Sequence, residues 1–216
     1  METLALITGA SRGFGYAVAR ALAKPDTHIL ALARTTGGLE ELDTEIKARG
    51  GSATLVPLDI TDEDGLQRLG KAIHDRWGKL DLFVHAAAHA PPLSPVGHIA
   101  EKDLDRTWAV NARATQRLVT MLDPVLKAAP GAQAVLIDDD TAAEKFFATY
   151  RASKTAARVI WGAWAAECAR TGPEVSTFEP QPMPTALRAR FHPGEDTSAL
   201  ADPVNEAERL VQALRS

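Results

Sequence analysis

An apolar run from Leu4 to Ile7 passes directly into Thr8-Gly9-Ala10-Ser11-Arg12-Gly13-Phe14-Gly15, and helical periodicity resumes at Ala17, Val18, Ala21 and Leu22. Glycines at these positions let the backbone turn tightly and approach a ligand closely, while the helix start aims partial positive charge at an anion. Strand, glycine turn and helix in that order form a cradle for the pyrophosphate of a dinucleotide. A chain that opens this way is committed to alternating strands and helices around a parallel sheet.

The rest of the chain carries that alternation. Apolar runs that read as buried strands fall at Leu4 to Ile7, His28 to Ala33, Ala53 to Val56, Leu80 to Val84, Ala134 to Ile137 and Val175 to Phe178. Helical spacing predicts helices over Phe14 to Ala23, Leu39 to Ala48, Glu63 to Arg76, Glu101 to Lys127, Ala148 to Arg170 and Val204 to Leu214. The third opens on a Thr61-x-x-Asp64 cap. Six strands and their helices predict an α/β fold of Rossmann type, a doubly wound parallel sheet in the order 3-2-1-4-5-6. The ligand crevice then lies at the carboxyl ends of the strands. With no internal repeat or linker, residues 1–216 read as a single domain, and the Pro-rich stretch Pro180 to Pro193 reads as part of an irregular lid at about 180–200.

Composition narrows the function classes. The chain is 45% hydrophobic and 24% charged, ordinary for a globular domain with one substantial core. No apolar run approaches the roughly 18 residues of a membrane span, and Met1-Glu2-Thr3 leads straight into the first strand without a basic leader, so the expected location is cytoplasmic. The net charge of −4 arises from interspersed signs with no basic tract, which argues against nucleic acid as a partner. Cys168 is alone and cannot form an internal disulfide. His85 and His89 lie four apart with no acidic or cysteine partner, so no metal site is expected.

The pattern Thr8-Gly9-x-x-x-Gly13-x-Gly15, with Asn111 in Val110-Asn111-Ala112 and with Tyr150-x-x-x-Lys154, resembles the short-chain dehydrogenase/reductase family over nearly the whole chain. The resemblance implies an oxidoreductase that moves a hydride between a nicotinamide cofactor and a carbonyl or alcohol carbon of a small molecule. Tyr150 would be the acid/base toward the substrate oxygen, Lys154 its tuner and a ribose ligand, and Asn111 the residue that interrupts a long helix and supports a proton relay. On a helix Tyr150 and Lys154 share a face, and an adjacent ammonium favours the phenolate of a group whose free pKa is near 10. Gly9, Ser11, Arg12, Gly13, Phe14 and Gly15 would hold the pyrophosphate. Asp59 and Ile60 would meet the adenine, Ala86 and Ala87 the nicotinamide ribose, and Pro180 and Thr185 the nicotinamide itself. Arg34 directly follows the second strand, and Ala33 occupies the position where an acid would mark an NAD site; with Arg12 nearby, the residues point to NADP rather than NAD.

Two departures stand out. Where the family places a hydroxyl-bearing serine after the fifth strand, this chain reads Asp138-Asp139-Asp140-Thr141, with Asp139 at or near the position and Asp138 as the alternative register. An ionised carboxylate only accepts hydrogen bonds and repels a developing oxyanion. Three readings follow. A buried carboxyl could stay protonated and donate, Thr141 could supply a hydroxyl, or the site could hold NADP with little turnover, as a sensor or interaction protein. A dehydratase-like reaction using a pocket Asp is a further alternative. The second departure is Val84-His85-Ala86-Ala87-Ala88, where Ala88 replaces a glycine and narrows the space beside the cofactor. Arg188, Arg190, Phe191 and His192, with Phe146 and Phe147, could form a pocket with an apolar wall and a cationic rim.

The helix Ala148 to Arg170 is apolar on nearly every face, which calls for a second partner beyond the sheet. By the resemblance, a homodimer through the helices at 101–127 and 148–170 is expected. The resemblance implies a seventh strand after the last helix, and none is expected within residues 1–216.

Overall fold

A computed structural model describes residues 3–139 and 142–214. One six-stranded parallel sheet has the order β3-β2-β1-β4-β5-β6, built from β1 (Thr3–Thr8), β2 (Thr27–Ala33), β3 (Ser52–Pro57), β4 (Leu82–His85), β5 (Gln133–Ile137) and β6 (Glu174–Phe178). This is the order expected from right-handed crossovers. The helices are α1 (Gly13–Leu22), α2 (Thr36–Ala48), α3 (Glu63–Trp77), α4 (Glu101–Trp108), α5 (Ala114–Lys127), α6 (Ala148–Cys168), α7 (Ala186–Phe191) and α8 (Pro203–Ala213).

Strand periodicity divides the core in two. Leu4 and Leu6 of β1 face Leu66 and Ile73 of α3, Leu118 and Leu122 of α5, and Ala157 and Trp161 of α6. Ala5 and Ile7, pointing the other way, join Val18 of α1, Leu39 and Leu42 of α2, and Leu210 of α8. Both faces of the sheet are therefore covered, which is why its strands read as continuous apolar runs.

Four sequence expectations are corrected. The cap of α3 is Asp62, whose carboxylate accepts from the Gly65 N–H at 3.0 Å, while the Thr61 hydroxyl donates instead to Asp59 at 2.8 Å. The helix expected over Glu101 to Lys127 is two helices joined by a π-helical turn, Ala109–Arg113. Leu80 and Asp81 precede β4; their N–H groups donate to Val125 and Leu4 carbonyls rather than to the ladder. The segment at 180–200 is not wholly irregular, because Thr185 caps the short helix α7 and a 3-10 turn forms at Thr197–Ala199. On α6 the apolar residues do divide into a buried stripe, with Trp161, Trp164 and Cys168, and an outer one with Val159 66% exposed.

Candidate active site

The glycine turn follows β1 and opens α1. Gly9 and Gly13 have φ of +71° and +61°, the left-handed region that favours glycine. A Cβ on Gly9 would lie 3.0 Å from the Ala87 backbone, and one on Gly15 only 2.5 Å from the Gly9 carbonyl oxygen. Both contacts are backbone to backbone, so neither can relax cheaply. The first turn of α1 has no side-chain cap and no acidic residue, which leaves its N–H groups and partial positive charge for an external anion. These residues fit the pyrophosphate of a dinucleotide. Thr185 approaches from the other side, its Cγ2 3.7 Å from where a Gly13 Cβ would sit, so the start of α7 reaches the turn.

Arg12 and Arg34 are exposed at the ends of β1 and β2. Arg34 Nη1 lies 3.8 Å from Asp59 Oδ2, and Arg106 Nη2 donates to the same oxygen at 2.8 Å. Burial would raise the Asp59 pKa, but hydrogen bonds from Arg106 and from the Thr61 N–H and hydroxyl outweigh it and hold the carboxyl down at about 2. Asp59 is thus a fixed anion between two guanidiniums. Ile60, next to it, is buried.

Sequence reading missed the role of His85. It is wholly inside, with Nδ1 2.8 Å from Thr8 Oγ1 and Nε2 3.0 Å from Thr115 Oγ1. Thr115 donates onward to the Asn111 carbonyl at 2.7 Å, and Thr8 Oγ1 accepts from the Ala87 N–H at 3.2 Å. These partners assign a neutral ring with the proton on Nε2. Burial, reinforced by the Lys154 charge, pushes the His85 pKa down to about 3. The relay ties the end of β1 to the end of β4 and to the π turn. A signal existed in the sequence, a histidine inside an apolar strand, but its two threonine partners come from distant segments.

Asn111 lies in the π turn, where helical pairing is interrupted. Its amide donates to the His89 carbonyl and to Ser153 Oγ, both at 3.0 Å, and its Oδ1 accepts from the His89 N–H at 2.7 Å. The side chain therefore bridges the segment after β4 to α6. Burial lowers the His89 pKa, helped by the charges of Arg106, Arg190 and Arg34.

Tyr150 and Lys154 share one face of α6 and are 4% and 6% exposed. The Tyr150 hydroxyl donates to Asp139 Oδ2 at 2.9 Å. Burial first, and then the Asp139 carboxylate, push the phenol well above its ordinary range. Lys154 Nζ donates to the Ile137 carbonyl at 2.7 Å and lies 3.9 Å from Asp138 Oδ1. Its pKa is lowered by burial, against the opposing pull of Asp138 and Asp139. The Asp138 carboxylate, 5% exposed, accepts from the Arg158 guanidinium, whose Nη2 also donates to the Asp139 carbonyl at 2.9 Å, while the Asp139 carboxylate accepts from Tyr150. Thr141 and Asp140 lie outside the described residues.

A cavity of about 230 Å³ opens beside Tyr150, lined by Asp139, Phe147, Tyr150, Arg151, Pro182, Leu187, Arg188, Phe191 and His192. Phe191 of α7 packs on Tyr150 with ring centroids 4.8 Å apart and on Phe147 at 5.0 Å. Phe146 does not line it: with φ +71° it turns outward and is 50% exposed, and the same turn sends Phe147 in. The expected cationic rim is largely neutralised. Arg188 makes two bonds to Glu195, at 2.7 and 2.6 Å, and Arg151 is bound to Glu144. Among the described residues no cluster of metal-ligating side chains occurs, and no helix is long and apolar enough to cross a membrane.

Comparison with known proteins places this geometry. Residues 3–196 match the family described as short chain dehydrogenase. The short-chain dehydrogenase/reductase FrzI of Cladobotryum sp is 32% identical over 193 residues, covering 88% of this chain and 74% of that protein. Glycine betaine reductase ATRR of Emericella nidulans is 29% identical over 98% of this chain, which spans only 17% of that protein's length. Against the first several curated relatives the chain spans well under two thirds of their length. Among solved structures, an alcohol dehydrogenase from the archaeon Thermococcus sibiricus, complexed with 5-hydroxy-NADP, superposes with a TM-score of 0.87 and 26% identity, over 100% of this chain and 92% of that one.

Proposed function

The chain belongs to the short-chain dehydrogenase family, and from that premise we propose that it is an NADP-dependent oxidoreductase that transfers a hydride between the nicotinamide and a carbonyl or alcohol carbon of a small molecule. One observation carries the reading: Tyr150 lines the cavity and Lys154, on the same face of α6, binds the Ile137 carbonyl at the end of β5, the end of the sheet that also bears the uncapped glycine turn.

When bound, the cofactor supplies or receives the hydride. Gly9, Ser11, Gly13, Phe14 and Gly15 present backbone N–H groups and open space to the pyrophosphate. Arg12 and Arg34 offer guanidiniums to a 2′-phosphate, in keeping with the NADP analogue held by the Thermococcus enzyme. Asp59 and Ile60 flank the adenine, Ala86 and Ala87 the ribose, and Pro180 and Thr185 the ring. Asn111 fixes the wall beyond the ring by holding His89 and Ser153. Residues 180–200 serve as a lid on a single domain, with Phe191 excluding water from Tyr150. A homodimer through α4, α5 and α6 is supported by the apolar side chains that α4 and α6 expose, Leu104, Trp108 and Val159. The location is cytoplasmic.

A second reading, a nucleotide-binding protein with little turnover, is favoured by the carboxylate 2.9 Å from the Tyr150 hydroxyl. NADPH binding by calorimetry, followed by NADPH oxidation over a broad panel of carbonyl compounds, separates the two. The oxidoreductase reading expects turnover that falls at least ~10-fold in Tyr150→Phe. Tight NADPH binding without turnover favours the second reading, and no binding of either nucleotide removes both.

A further inference from the structure

We propose that Glu206 is a positioning residue for the nicotinamide end of the crevice: its carboxylate ties down the root of the lid and so sets how Thr185 and α7 meet the cofactor. The inference rests on the cofactor and lid readings above and adds to them a residue of the last helix.

The segment that joins β6 to α7 is stiff. Between Phe178 and Ala186 it carries Pro180, Pro182 and Pro184, each with its φ fixed by the ring and without an N–H to donate. Three fixed angles leave the segment little freedom, so its course is decided where it is tied. The ties come from α8 and from the chain just before it. Gln181 donates its N–H to Glu206 Oε2 at 2.9 Å, the Glu179 carbonyl accepts from Arg209 Nη2 at 2.9 Å, and the Pro182 carbonyl accepts from the Ala201 N–H at 2.9 Å. Met183, next along, is buried in one apolar core with Ala207 and Leu210 of α8 and Val18 of α1.

Glu206 is where these contacts converge. It lies in the first turn of α8, is only 7% exposed, and its Oε2 accepts from both Gln181 and Arg209, the latter at 2.6 Å. The Arg209 guanidinium, and then the Gln181 N–H, hold the carboxyl below its ordinary range. The group therefore stays an acceptor, and hydrogen bonds to an ionised acceptor are roughly twice as strong as neutral ones. An exposed ion pair would contribute little. This one is spent on the main chain of a different segment.

The same pair reaches toward both ends of the crevice. Arg209 lies 4.2 Å over the ring of Phe178, which stacks on Phe14 of the glycine turn with centroids 5.9 Å apart and planes within 8°. In the other direction, Thr185 caps α7, and α7 sets Phe191 on Tyr150 at 4.8 Å. Freeing Gln181 thus loosens the lid at its base. The glycine turn keeps its own backbone geometry, because its shape comes from Gly9, Gly13 and Gly15.

Two nucleotides separate this role from general support of the fold. NADPH and adenosine 2′,5′-bisphosphate, which keeps the adenosine and its 2′-phosphate but lacks nicotinamide, are titrated by calorimetry into the native protein and into Glu206→Ala. NADPH is expected to bind Glu206→Ala at least ~10-fold more weakly, the worth of a hydrogen bond to a charged group. The bisphosphate is expected to stay within about 2-fold of the native protein. Trypsin gives a readout without ligand: cleavage after Arg190, an exposed residue of α7, is expected to be at least ~5-fold faster in Glu206→Ala. Native-like NADPH affinity in Glu206→Ala overturns the proposal, as does unchanged cleavage. A loss shared equally by the two nucleotides also overturns it and marks Glu206 as a support of the whole fold. Failure of the native protein to bind either nucleotide removes the cofactor reading, and this inference with it. Should Glu206→Ala fail to fold, amide hydrogen exchange on the native protein decides. The Gln181 N–H is expected to be protected at least ~10-fold over a free peptide, and further by NADPH; exchange at the free-peptide rate overturns the proposal.

Discussion

The two ends of one crevice are built on different principles. The β1 end is shaped by backbone: glycines with left-handed or crowded positions, and the uncapped start of α1. The β5 end is shaped by polar side chains, with Asp138, Asp139, Tyr150, Lys154 and Arg158 joined within a few ångströms. Backbone donors carry no titratable group and tolerate most side-chain changes around them. A side-chain constellation can change its chemistry with one substitution. The glycine turn thus follows the family pattern while the position of the expected serine holds a carboxylate, and the comparison teaches that, on the proposed function, the first end would report cofactor and the second substrate.

The sharpest way to break that comparison is Gly15→Val. A Cβ there overlaps the Gly9 carbonyl oxygen at 2.5 Å and its carbon at 2.9 Å, so the turn must open. NADPH affinity is expected to fall at least ~100-fold by calorimetry, about 3 kcal/mol, with far-UV circular dichroism retained. Unchanged affinity would show that the glycine turn is not the grip. The next effect is on stability. The folded His85 pKa lies at about 3 against 6.5 for a free ring, so the unfolded chain binds more protons between those values. Stability is complete above about pH 6.5 and falls as pH drops toward 3, with a slope approaching ~1.4 kcal/mol per pH unit. Urea melts at pH 7 and pH 4.5 measure it, and His85→Gln should remove much of the slope. A slope that survives the substitution would place the acid sensitivity among the carboxylates at the other end.

Cofactor choice gives a smaller effect. Arg34 is exposed and 3.8 Å from Asp59, which is itself held by Arg106. Arg34→Ala is expected to weaken NADPH about 10-fold while leaving NADH within about 2-fold, read as the ratio of the two dissociation constants. An unchanged ratio would move the 2′-phosphate to Arg12.

Much of the fold was legible because its signals are local. The period-two alternation of Leu4, Ala5, Leu6 and Ile7 announces two covered faces, and the strand order follows from right-handed crossovers. The glycine turn between β1 and α1 was legible for the same reason: its residues are consecutive. Tyr150, Lys154 and Asn111 were visible through spacing and resemblance, but their partners were not. That the Asp139 carboxylate accepts a hydrogen bond from the Tyr150 hydroxyl while the Asp138 carboxylate accepts from Arg158 depends on which way two adjacent side chains turn after β5, and no periodicity states that. The His85 relay joins residues 8, 85, 111 and 115, and Phe146 leaves the cavity through a left-handed φ that its sequence does not advertise.

The helix cap read one residue early gives the smallest and cleanest contrast. Thr61 and Asp62 are neighbours with competing uses. Asp59 draws the Thr61 hydroxyl and N–H to itself, leaving Asp62 to accept from Gly65. Asp62→Ala should therefore cost about 1 kcal/mol of folding stability, the usual worth of an N-cap. Thr61→Val should instead act on the nucleotide end, because it removes the hydroxyl that helps hold the Asp59 carboxyl down. Paired urea melts and NADPH titrations separate the two: Asp62→Ala is expected to shift the melt and leave NADPH affinity alone, since α3 supports the sheet from behind. An Asp62→Ala variant that lost cofactor affinity along with stability would mean that the loop after β3 is braced by this cap, and that the nucleotide end depends on side chains more than its backbone geometry implies.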